Sequence, residues 1–410
     1  MMKYLATILV FSMIWISCSD SEDPDINSNT PASLEELTGS SACFSWKMLH
    51  TLSNDPEYKQ KNMVISPISI QAALYMTLNG AEGSTESGMQ EALCIEHITP
   101  NGHNEAYAEL SEALTDNEDS KLSIDNVVFY DDRKLTPSEK FISSLENFYS
   151  TEFKKLDFDE DTSVDLINEW ADEKTEGRIK KILEEISPDE ATFIINALYM
   201  KADWIKGFDP TGTSPRAFTF EDGSTSEVDM MFSDDYRSVY NGEDYKAVDL
   251  LLKDEKYSVT FILPSESSGL SSFVNDMSPT DFTSFYTKLY GENLQESRVY
   301  LTLPKFETSS KFILTETLKD QGMNDAFNRS TADFTDMGTA GGRIYLSRVL
   351  HDTYLKVDEK GVEGAAVTTV GVAVTSAPPI LSFNRPYMFL IRHIDTGVII
   401  FTGLIFDPSS

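Results

Sequence analysis

The side chains that most often carry out catalysis occur in this 410-residue chain without the spacing that catalysis needs. There is no Gly-x-Ser-x-Gly turn for a nucleophilic serine, no His-Glu-x-x-His pair for zinc and no glycine-rich phosphate loop. Four of the five histidines fall in unrelated contexts: His50, His97, His103 and His393. Acidic pairs such as Glu184-Glu185 are typical of solvated surfaces. The sequence therefore predicts no enzyme, and it predicts neither a metal nor a cofactor.

The three cysteines, Cys18, Cys43 and Cys94, do not form a Cys-x-x-Cys motif, so zinc and redox chemistry have no support. Cys43 and Cys94 each lie in or at the end of a helical pattern. Two buried thiols are the expectation for this pair. A disulfide is the alternative, and it would require an oxidising compartment.

The first 32 residues are typical of an exported lipoprotein. Residues 1–17 (MMKYLATILVFSMIWIS) have one early lysine and an apolar core, which predicts a signal peptide. The ending Ile16-Ser17-Cys18 resembles a bacterial lipoprotein cleavage site with Cys18 as the lipidated residue. Residues 18–32 are acidic and polar and predict a disordered tether. The expected location is the outer membrane or the cell surface, or otherwise the extracellular medium.

The net charge limits the partners that the chain can bind. The formal charge is −34 and the pI is about 4.4. Nucleic acids and anionic lipid surfaces attract Lys and Arg, so neither is an expected partner. Any contact with a membrane would be made through the lipid on Cys18.

From residue 33 onward, periodicity predicts one continuous globular domain, residues 33–410, with helices and strands intermixed. Predicted helices cover Leu34–Leu52, Pro67–Leu78, Thr85–Leu93, Ser138–Tyr149, Val164–Thr175 and Ser309–Gln321. Predicted strands cover Ser123–Tyr130, Ala191–Met200, segments of Ala247–Pro264, and Arg298–Pro304. A C-terminal hairpin joins Tyr387–His393 to Val398–Ile405.

The stretch Val357–Pro386 has the most unusual composition of the chain. A charged cluster ending at Glu363 is followed by a run without charge that extends to Asn384. The run is rich in Gly, Ala, Val and Thr, which suit a buried strand. It is longer than most strands, and Pro378-Pro379 ends it. Composition leaves two readings open, a buried core strand or a segment that can enter a sheet without always being in one.

This stretch resembles the hinge and reactive loop of the serpin family. Glu359-Lys360-Gly361-Val362-Glu363-Gly364-Ala365-Ala366 is similar to the family's hinge, with Val362 in place of the usual Thr and Gly364 in place of Ala. Ser376-Ala377-Pro378-Pro379 and Phe383-Asn384-Arg385-Pro386 match the segments that follow, without a gap. The resemblance identifies residues 359–380 as the reactive loop.

Further segments resemble serpin motifs in the family's order, so that the resemblance covers about residues 33–408. They are Val64-Ile65-Ser66-Pro67-Ile68-Ser69-Ile70, Ile167-Asn168-x-Trp170 with Thr175-x-Gly177-Arg178-Ile179, Asn196-Ala197-Leu198-Tyr199 through Trp204, Leu303-Pro304-Lys305-Phe306, Ser347-Arg348-Val349-Leu350-His351, and Phe401-x-Gly403. The resemblance implies an α+β serpin fold, with helices packed on three β-sheets and an exposed, insertable loop.

The resemblance also implies a sheet-opening cluster. In it His351 hydrogen-bonds beneath the central sheet with Asn196, Ser66 and Ser69, while Trp204 lies at the top of the sheet where insertion begins. If the loop inserts from Val362, alternation places one set of side chains toward the core, namely Val362, Gly364, Ala366, Thr368, Val370, Val372 and Val374. Glu363 and the other odd-numbered residues face outward, so the only charge avoids the core.

Aligning both flanks of the loop implies a scissile bond at Thr375-Ser376, with Val374-Thr375 as the alternative. No Arg or Lys precedes the bond, so trypsin-like proteases gain nothing from this loop. Small β-branched residues suit elastase-like or subtilisin-like serine proteases, and papain-like cysteine proteases are a further candidate. The expected function is a monomeric suicide inhibitor that forms a covalent complex with its target protease. A non-inhibitory binding or chaperone module is the alternative.

Overall fold

The computed structural model describes residues 34–98, 102–115, 120–363 and 378–410. The α-helices in these ranges are α1 (Leu34–Asn54), α2 (Pro67–Leu78), α3 (Gly83–Ala92), α4 (Gly102–Thr115), α5 (Glu139–Tyr149), α6 (Thr162–Lys174), α7 (Gly269–Asn275), α8 (Pro279–Lys288) and α9 (Thr315–Leu318). None of the helices in these ranges is long and apolar enough to cross a membrane.

The strands in the same ranges form three sheets. They are β1 (Met63–Ile65), β2 (Lys121–Tyr130), β3 (Leu135–Pro137), β4 (Glu152–Lys155), β5 (Thr192–Asp203), β6 (Ser214–Thr219), β7 (Thr225–Asn241), β8 (Tyr245–Leu251), β9 (Tyr257–Pro264), β10 (Gln295–Pro304), β11 (Phe306–Ile313), β12 (Gly338–Ala340), β13 (Leu350–Val357), β14 (Gly361–Val362), β15 (Ile380–Ser382), β16 (Tyr387–His393) and β17 (Ile399–Ile405).

The largest sheet has nine strands and contains most of the continuously apolar segments. Its order is β1-β17-β16-β9-β8-β7-β10-β15, with β6 paired to β7. Every residue of β9 and β17 is buried, because these strands are covered on both faces. The predicted C-terminal hairpin is confirmed as β16 and β17, and Gly397 in its turn has φ +71°, which favours glycine.

The six-stranded sheet has the order β11-β13-β14-β5-β2-β4 and lies between two helices. Its inner face packs on α2, which fills the space between this sheet and β17. Its outer face carries a smaller apolar cluster in which Trp170 of α6 meets Phe129 of β2 edge to face, with ring centroids 6.2 Å apart. Both faces are therefore covered where the strands are longest. A short third sheet pairs β12 with β3.

One predicted helix is wrong over its first half. Residues Ser309–Ile313 belong to strand β11, and only Thr315–Leu318 and the π turn Lys319–Met323 are helical. Along β11 buried and exposed residues alternate strictly. That period of two fits a strand with one buried face, and it outweighs the helical pattern suggested by the residues that follow.

The expectation of two free thiols is also wrong, because Cys43 and Cys94 form a disulfide. The bond joins α1 to the residue pair that follows α3 and encloses a sequence separation of 51 residues. Cys94 has a positive φ of 59°, a left-handed conformation that is common where a helix ends, and it follows the end of α3 by two residues. The remaining elements confirm the predicted α+β class with helices on three sheets.

Candidate functional site

The hinge re-enters the six-stranded sheet directly after leaving it. The chain leaves β13 at Val357, turns through residues 358–360 and returns as β14. Val362 of β14 lies opposite Val357 of β13 on one side and Ala202 of β5 on the other. Two residues of the predicted hinge, Gly361 and Val362, therefore already form a strand between β5 and β13.

Trp204 donates hydrogen bonds to the turn that precedes this strand. Its backbone N–H donates to the Lys360 carbonyl oxygen at 2.8 Å, and its indole N–H donates to the Asp358 carbonyl oxygen at 2.9 Å. The side chain of Trp204 is fully buried. The residue expected at the top of the sheet thus makes direct hydrogen bonds to the hinge turn, in addition to packing in the core.

Only glycine fits at position 361. A Cβ atom there would lie 2.1 Å from the Ala202 carbonyl oxygen, which is far inside van der Waals contact. The next residue, Val362, has no exposed surface and packs in the main apolar core. Because Gly361 lies this close to the β5 backbone, the Val362 side chain that follows it can pack in the core beneath the sheet.

Glu363 faces the other side of the sheet, as alternation predicts, but it does not lie in solvent. Its side chain is only 4% exposed. Arg178, on the segment after α6, places Nε 2.7 Å from Glu363 Oε1, and the Tyr199 hydroxyl donates to Glu363 Oε2 at 2.8 Å. The Glu363 carboxylate thus has a charged partner, Arg178, and a neutral partner, Tyr199.

The surroundings of this ion pair favour the neutral form of the Tyr199 phenol. Burial raises the pKa of Tyr199 well above its usual value, and the hydrogen bond to Glu363 raises it further. The Arg178 guanidinium lies 5.0 Å from the centre of the Tyr354 ring, which fixes its direction over the sheet. An arginine at position 363 would bring two guanidinium groups together here.

Glu359, the first residue of the predicted hinge, is also paired. It accepts a hydrogen bond from the Thr213 hydroxyl at 2.7 Å, and Lys305 Nζ lies 3.8 Å from the same carboxylate oxygen. These contacts tie the start of the hinge to the segment before β6 and to the junction of β10 and β11.

Beyond β14 the described part of the six-stranded sheet has no strand between β5 and β13. Among the residues that the structure describes, β5 and β13 are joined only through β14. A cavity of about 630 Å³ lies between their remaining lengths. The predicted cluster residues Ser66, Ser69, Asn196 and His351 all line this cavity.

Within this cluster only part of the implied hydrogen bonding is present. The Ser66 backbone N–H donates to His351 Nε2 at 3.0 Å. Asn196 turns away and donates to the Asn126 side-chain oxygen at 2.8 Å. Asn196 Oδ1 is buried and has no hydrogen-bond partner within the described ranges. Burial lowers the pKa of His351 to about 3, so the ring is neutral and can accept the bond from Ser66.

Several predicted site residues lie outside the described residues. They are Gly364, Ala365 and Ala366 of the hinge, the bond Thr375-Ser376 with its alternative partner Val374, and the predicted lipidation site Cys18.

Sequence reasoning missed the partners of the hinge, Arg178 and Tyr199. Both lie within motifs that were used only to identify the family. One signal was available in the sequence: Glu363 is the last charged residue before a long uncharged run. If the hinge entered the sheet, this carboxylate would be buried and would need a cation beside it.

Comparison with known proteins places these features in a family. A sequence profile described as "Serpin (serine protease inhibitor)" matches residues 40–408. Human Serpin B8 is 30% identical over 384 residues, which span 92% of this chain and all of Serpin B8. The crystal structure of the thermophilic serpin tengpin in its native state is 30% identical, covers 91% of this chain and 94% of tengpin, and has a TM-score of 0.82. The latent state of tengpin, at 28% identity with 91% and 98% covered, has a TM-score of 0.77.

Proposed function

This chain belongs to the serpin family of serine protease inhibitors, and on that premise we propose that it is a suicide inhibitor that inserts its cleaved loop between β5 and β13. The observation that carries the proposal is the position of β14 at one end of an open gap. A strand that begins in the gap needs only to continue in the same register to fill it.

If the loop continues in the register of β14, each inserted residue has a defined neighbour on β5 and on β13. Val362 lies opposite Ala202 and Val357, and both neighbours run antiparallel to it. Six residues further along the loop, Thr368 would lie opposite Asn196 on β5 and His351 on β13.

The same extension matches polarity. Thr368 is the one polar residue in the core-facing set from Val362 to Val374. Its hydroxyl would meet the polar side chains of Asn196 and His351, and the buried Oδ1 of Asn196 has no hydrogen-bond partner among the described residues. A buried polar atom without a partner is costly, so this pairing would favour the inserted strand.

The chemistry belongs to the protease. Its serine Oγ attacks the Thr375 carbonyl carbon, the Thr375-Ser376 bond breaks, and the amine of Ser376 leaves with a proton from the protease's general acid. The chain up to Thr375 is then an ester on the protease. Insertion carries the attached protease along the gap before water can hydrolyse that ester.

The residues before the bond select the protease class. Val372, Ala373, Val374 and Thr375 are small and uncharged, which suits shallow apolar pockets. Elastase-like and subtilisin-like serine proteases are therefore the proposed targets, with papain-like cysteine proteases as a further class to be tested.

Incubation with an elastase-like protease, followed by denaturing electrophoresis and mass spectrometry, tests the proposal. A covalent complex and a released peptide that begins at Ser376 are expected. A peptide that begins at Thr375 would move the bond to Val374-Thr375. Cleavage within the loop without any covalent complex would contradict inhibition and favour a non-inhibitory module.

The proposed location is outside the cytoplasm, with Cys18 as a lipid anchor. The disulfide between Cys43 and Cys94 supports export, because such bonds persist in oxidising compartments. In a host that processes lipoproteins, Cys18→Ala is expected to move the protein from the membrane fraction to the soluble fraction. Unchanged fractionation would contradict the lipid anchor.

A further inference from the structure

One carboxylate lies on the wall of the gap between β5 and β13, on the face opposite the sheet-opening cluster. Asp352 follows His351 directly on β13, so its side chain points to the other face of the sheet. It lines the same cavity as Asn196 and His351, and its side chain is only 9% exposed. Its Oδ1 is buried and has no hydrogen-bond partner among the residues that the structure describes. A largely buried carboxylate therefore borders the path of the inserted strand.

The charged neighbours of Asp352 belong to β11 and to the segment after α6. Lys311 is its cross-strand neighbour on β11, and Lys311 Nζ lies 3.6 Å from Asp352 Oδ2. The same ammonium group lies 3.7 Å from Glu184 Oε1 and donates to the Lys181 carbonyl oxygen at 3.1 Å. Lys311 is 45% exposed and shared among these acceptors, so it offsets the burial of the Asp352 charge only in part.

The remaining polar groups near Asp352 on β13 do not change their charge near neutral pH. His351, on the opposite face, has a pKa lowered to about 3 by burial. Tyr354, two residues further along the same face, donates to Glu307 Oε1 at 3.0 Å, and burial raises its pKa to about 12. Arg348, four residues earlier, donates to Glu190 Oε2 at 3.1 Å. Asp352 is thus the group in this part of β13 that can titrate between pH 5 and 8.

The side of Asp352 that faces the gap is apolar and would become more so on insertion. The cavity is lined by Ile182 and Leu183 of the segment after α6 and by Ala197 of β5. In the register of β14, Val367 would lie between Asp352 on β13 and Ala197 on β5. Directly opposed side chains of antiparallel strands have Cβ atoms about 4.5–5.5 Å apart. Val367 would therefore bring its methyl groups beside the carboxylate and exclude water from that part of the cavity.

Insertion and protonation of Asp352 are linked through this desolvation. Burial, opposed in part by Lys311, already raises the pKa of Asp352 from 3.8 to about 6. Covering the carboxylate with Val367 would raise the pKa again, because desolvation disfavours only the charged form. Insertion would then take up a proton at pH values above about 6 and almost none well below it. The inserted strand is therefore favoured most below pH 6 and less as the pH rises above it.

We propose that Asp352 controls how readily the gap between β5 and β13 accepts a strand, and that it makes insertion faster in mildly acidic medium than at pH 8. This inference rests on the proposed function, because it concerns the insertion step of that mechanism. Asp352 lies within the sheet, so it would act on insertion and leave cleavage of the loop and hydrolysis of the ester to the protease.

Uptake of a synthetic strand measures insertion without a protease. The probe is a peptide of residues 364–375 (GAAVTTVGVAVT), acetylated and amidated so that it carries no titratable group. The measured quantity is the rate constant of its uptake by the whole protein, followed by native electrophoresis and by the rise in melting temperature. The unmodified protein is expected to take up the peptide about tenfold faster at pH 5 than at pH 8, which corresponds to a pKa of Asp352 higher by about one when the gap is filled.

Two variants assign the pH dependence to Asp352. Asp352→Asn keeps the shape of the side chain and removes its titration. It is expected to take up the peptide at pH 8 about as fast as the unmodified protein does at pH 5, with less than about a twofold change between the two pH values. Glu184→Gln is the matched control, since it removes another carboxylate beside Lys311, one that is 61% exposed, and it should retain the pH dependence. Melting of each variant without peptide checks that it is folded.

The outcomes separate Asp352 from the inhibitory mechanism. Uptake that is equally fast at both pH values, or faster at pH 8, would overturn the role of Asp352 and leave the proposed function standing. The same would follow if Asp352→Asn retained the full pH dependence. If the unmodified protein takes up no peptide at either pH, the gap does not accept a strand, and the proposed function fails together with this inference.

Discussion

Replacing Val362 by arginine tests whether insertion through the hinge is what traps the protease. Val362 is fully buried between Ala202 and Val357, so a guanidinium at this position must leave water without a partner. The cost of burying an unpaired charge is several kcal/mol. We expect the substituted hinge to leave the sheet and the loop to insert more slowly after cleavage.

The magnitude follows from the competition between insertion and hydrolysis. Taking about 3 kcal/mol on the insertion barrier, insertion slows about 150-fold. Hydrolysis occurs in the protease and is unaffected. The number of inhibitor molecules consumed for each protease inhibited is one plus the ratio of the hydrolysis rate to the insertion rate. If that ratio is about 0.1 for the unmodified protein, Val362→Arg should consume about 16 molecules instead of about one.

The assay titrates protease activity against increasing inhibitor and displays the products by denaturing electrophoresis. Val362→Thr is the matched control, since threonine has nearly the same shape, carries no charge and is the usual residue of the resembled hinge. Val362→Thr should still consume about one inhibitor molecule for each protease inhibited. Glu363→Arg, which alternation alone would suggest as a harmless control, is unsuitable because its side chain would meet Arg178.

Melting of the intact variant provides a check on folding. The hinge contributes only the two residues of β14 to the sheet, so Val362→Arg should melt close to the unmodified protein. A stable covalent complex at one-to-one stoichiometry with Val362→Arg would show that insertion does not pass through this buried position.

Three further predictions concern the bait, the disulfide and pH. Thr375→Arg should move inhibition from elastase-like to trypsin-like proteases, measured as rate constants with both; an unchanged preference would place the bait elsewhere. Replacing Cys43 and Cys94 by serine should lower the free energy of unfolding by about 4 kcal/mol for a loop of this length, measured by denaturant titration, and equal stability of both forms would contradict a native disulfide. His351, with its pKa lowered from 6.5 to about 3, binds a proton in the unfolded chain before it does so in the folded one. Its contribution to stability is therefore complete above pH 6.5 and declines as the pH falls toward 3. His351→Gln should make the unfolding free energy less steep in that window; an identical slope would show that His351 is not buried and neutral.

The sequence predicted the architecture where local pattern and tertiary environment agree. The helix from Pro67 to Leu78 was predicted at both ends, because Pro67 suits the first helical turn and Asn79-Gly80 ends it. The strands β9 and β16 were predicted from their largely apolar runs, and almost all of their residues are buried. Between Ser309 and Ile313 buried and exposed residues alternate strictly, as in a strand with one buried face. The helical prediction for these residues was based on the pattern further along the chain and was wrong.

The candidate site was predicted in its positions but not in its contacts. Family motifs located Ser66, Asn196 and His351, and the structure brings all three to one cavity. Which atoms pair depends on how far the sheet is open, and sequence does not specify that distance. Consequently the bond from Asn196 to Asn126 was not foreseen.

The resting position of the hinge was missed for a related reason. Alternation gave the correct faces for Val362 and Glu363, because the side-chain period of a strand is local. Burial of Glu363 depends on the segment carrying Arg178, which is 185 residues away in the chain. A contact across that separation is fixed by the packing of α6 on the sheet, which no local pattern records.

If the cleaved loop becomes a strand between β5 and β13, the cleaved protein must be more stable than the intact protein, and its melting temperature measures this. The gap would accept roughly ten further residues, each adding about 1 kcal/mol of net backbone hydrogen bonding. The protein cleaved in its loop should therefore melt at least about 10 °C above the intact protein. If the cleaved protein melts at or below the temperature of the intact one, the loop does not enter the sheet and the proposed mechanism is wrong.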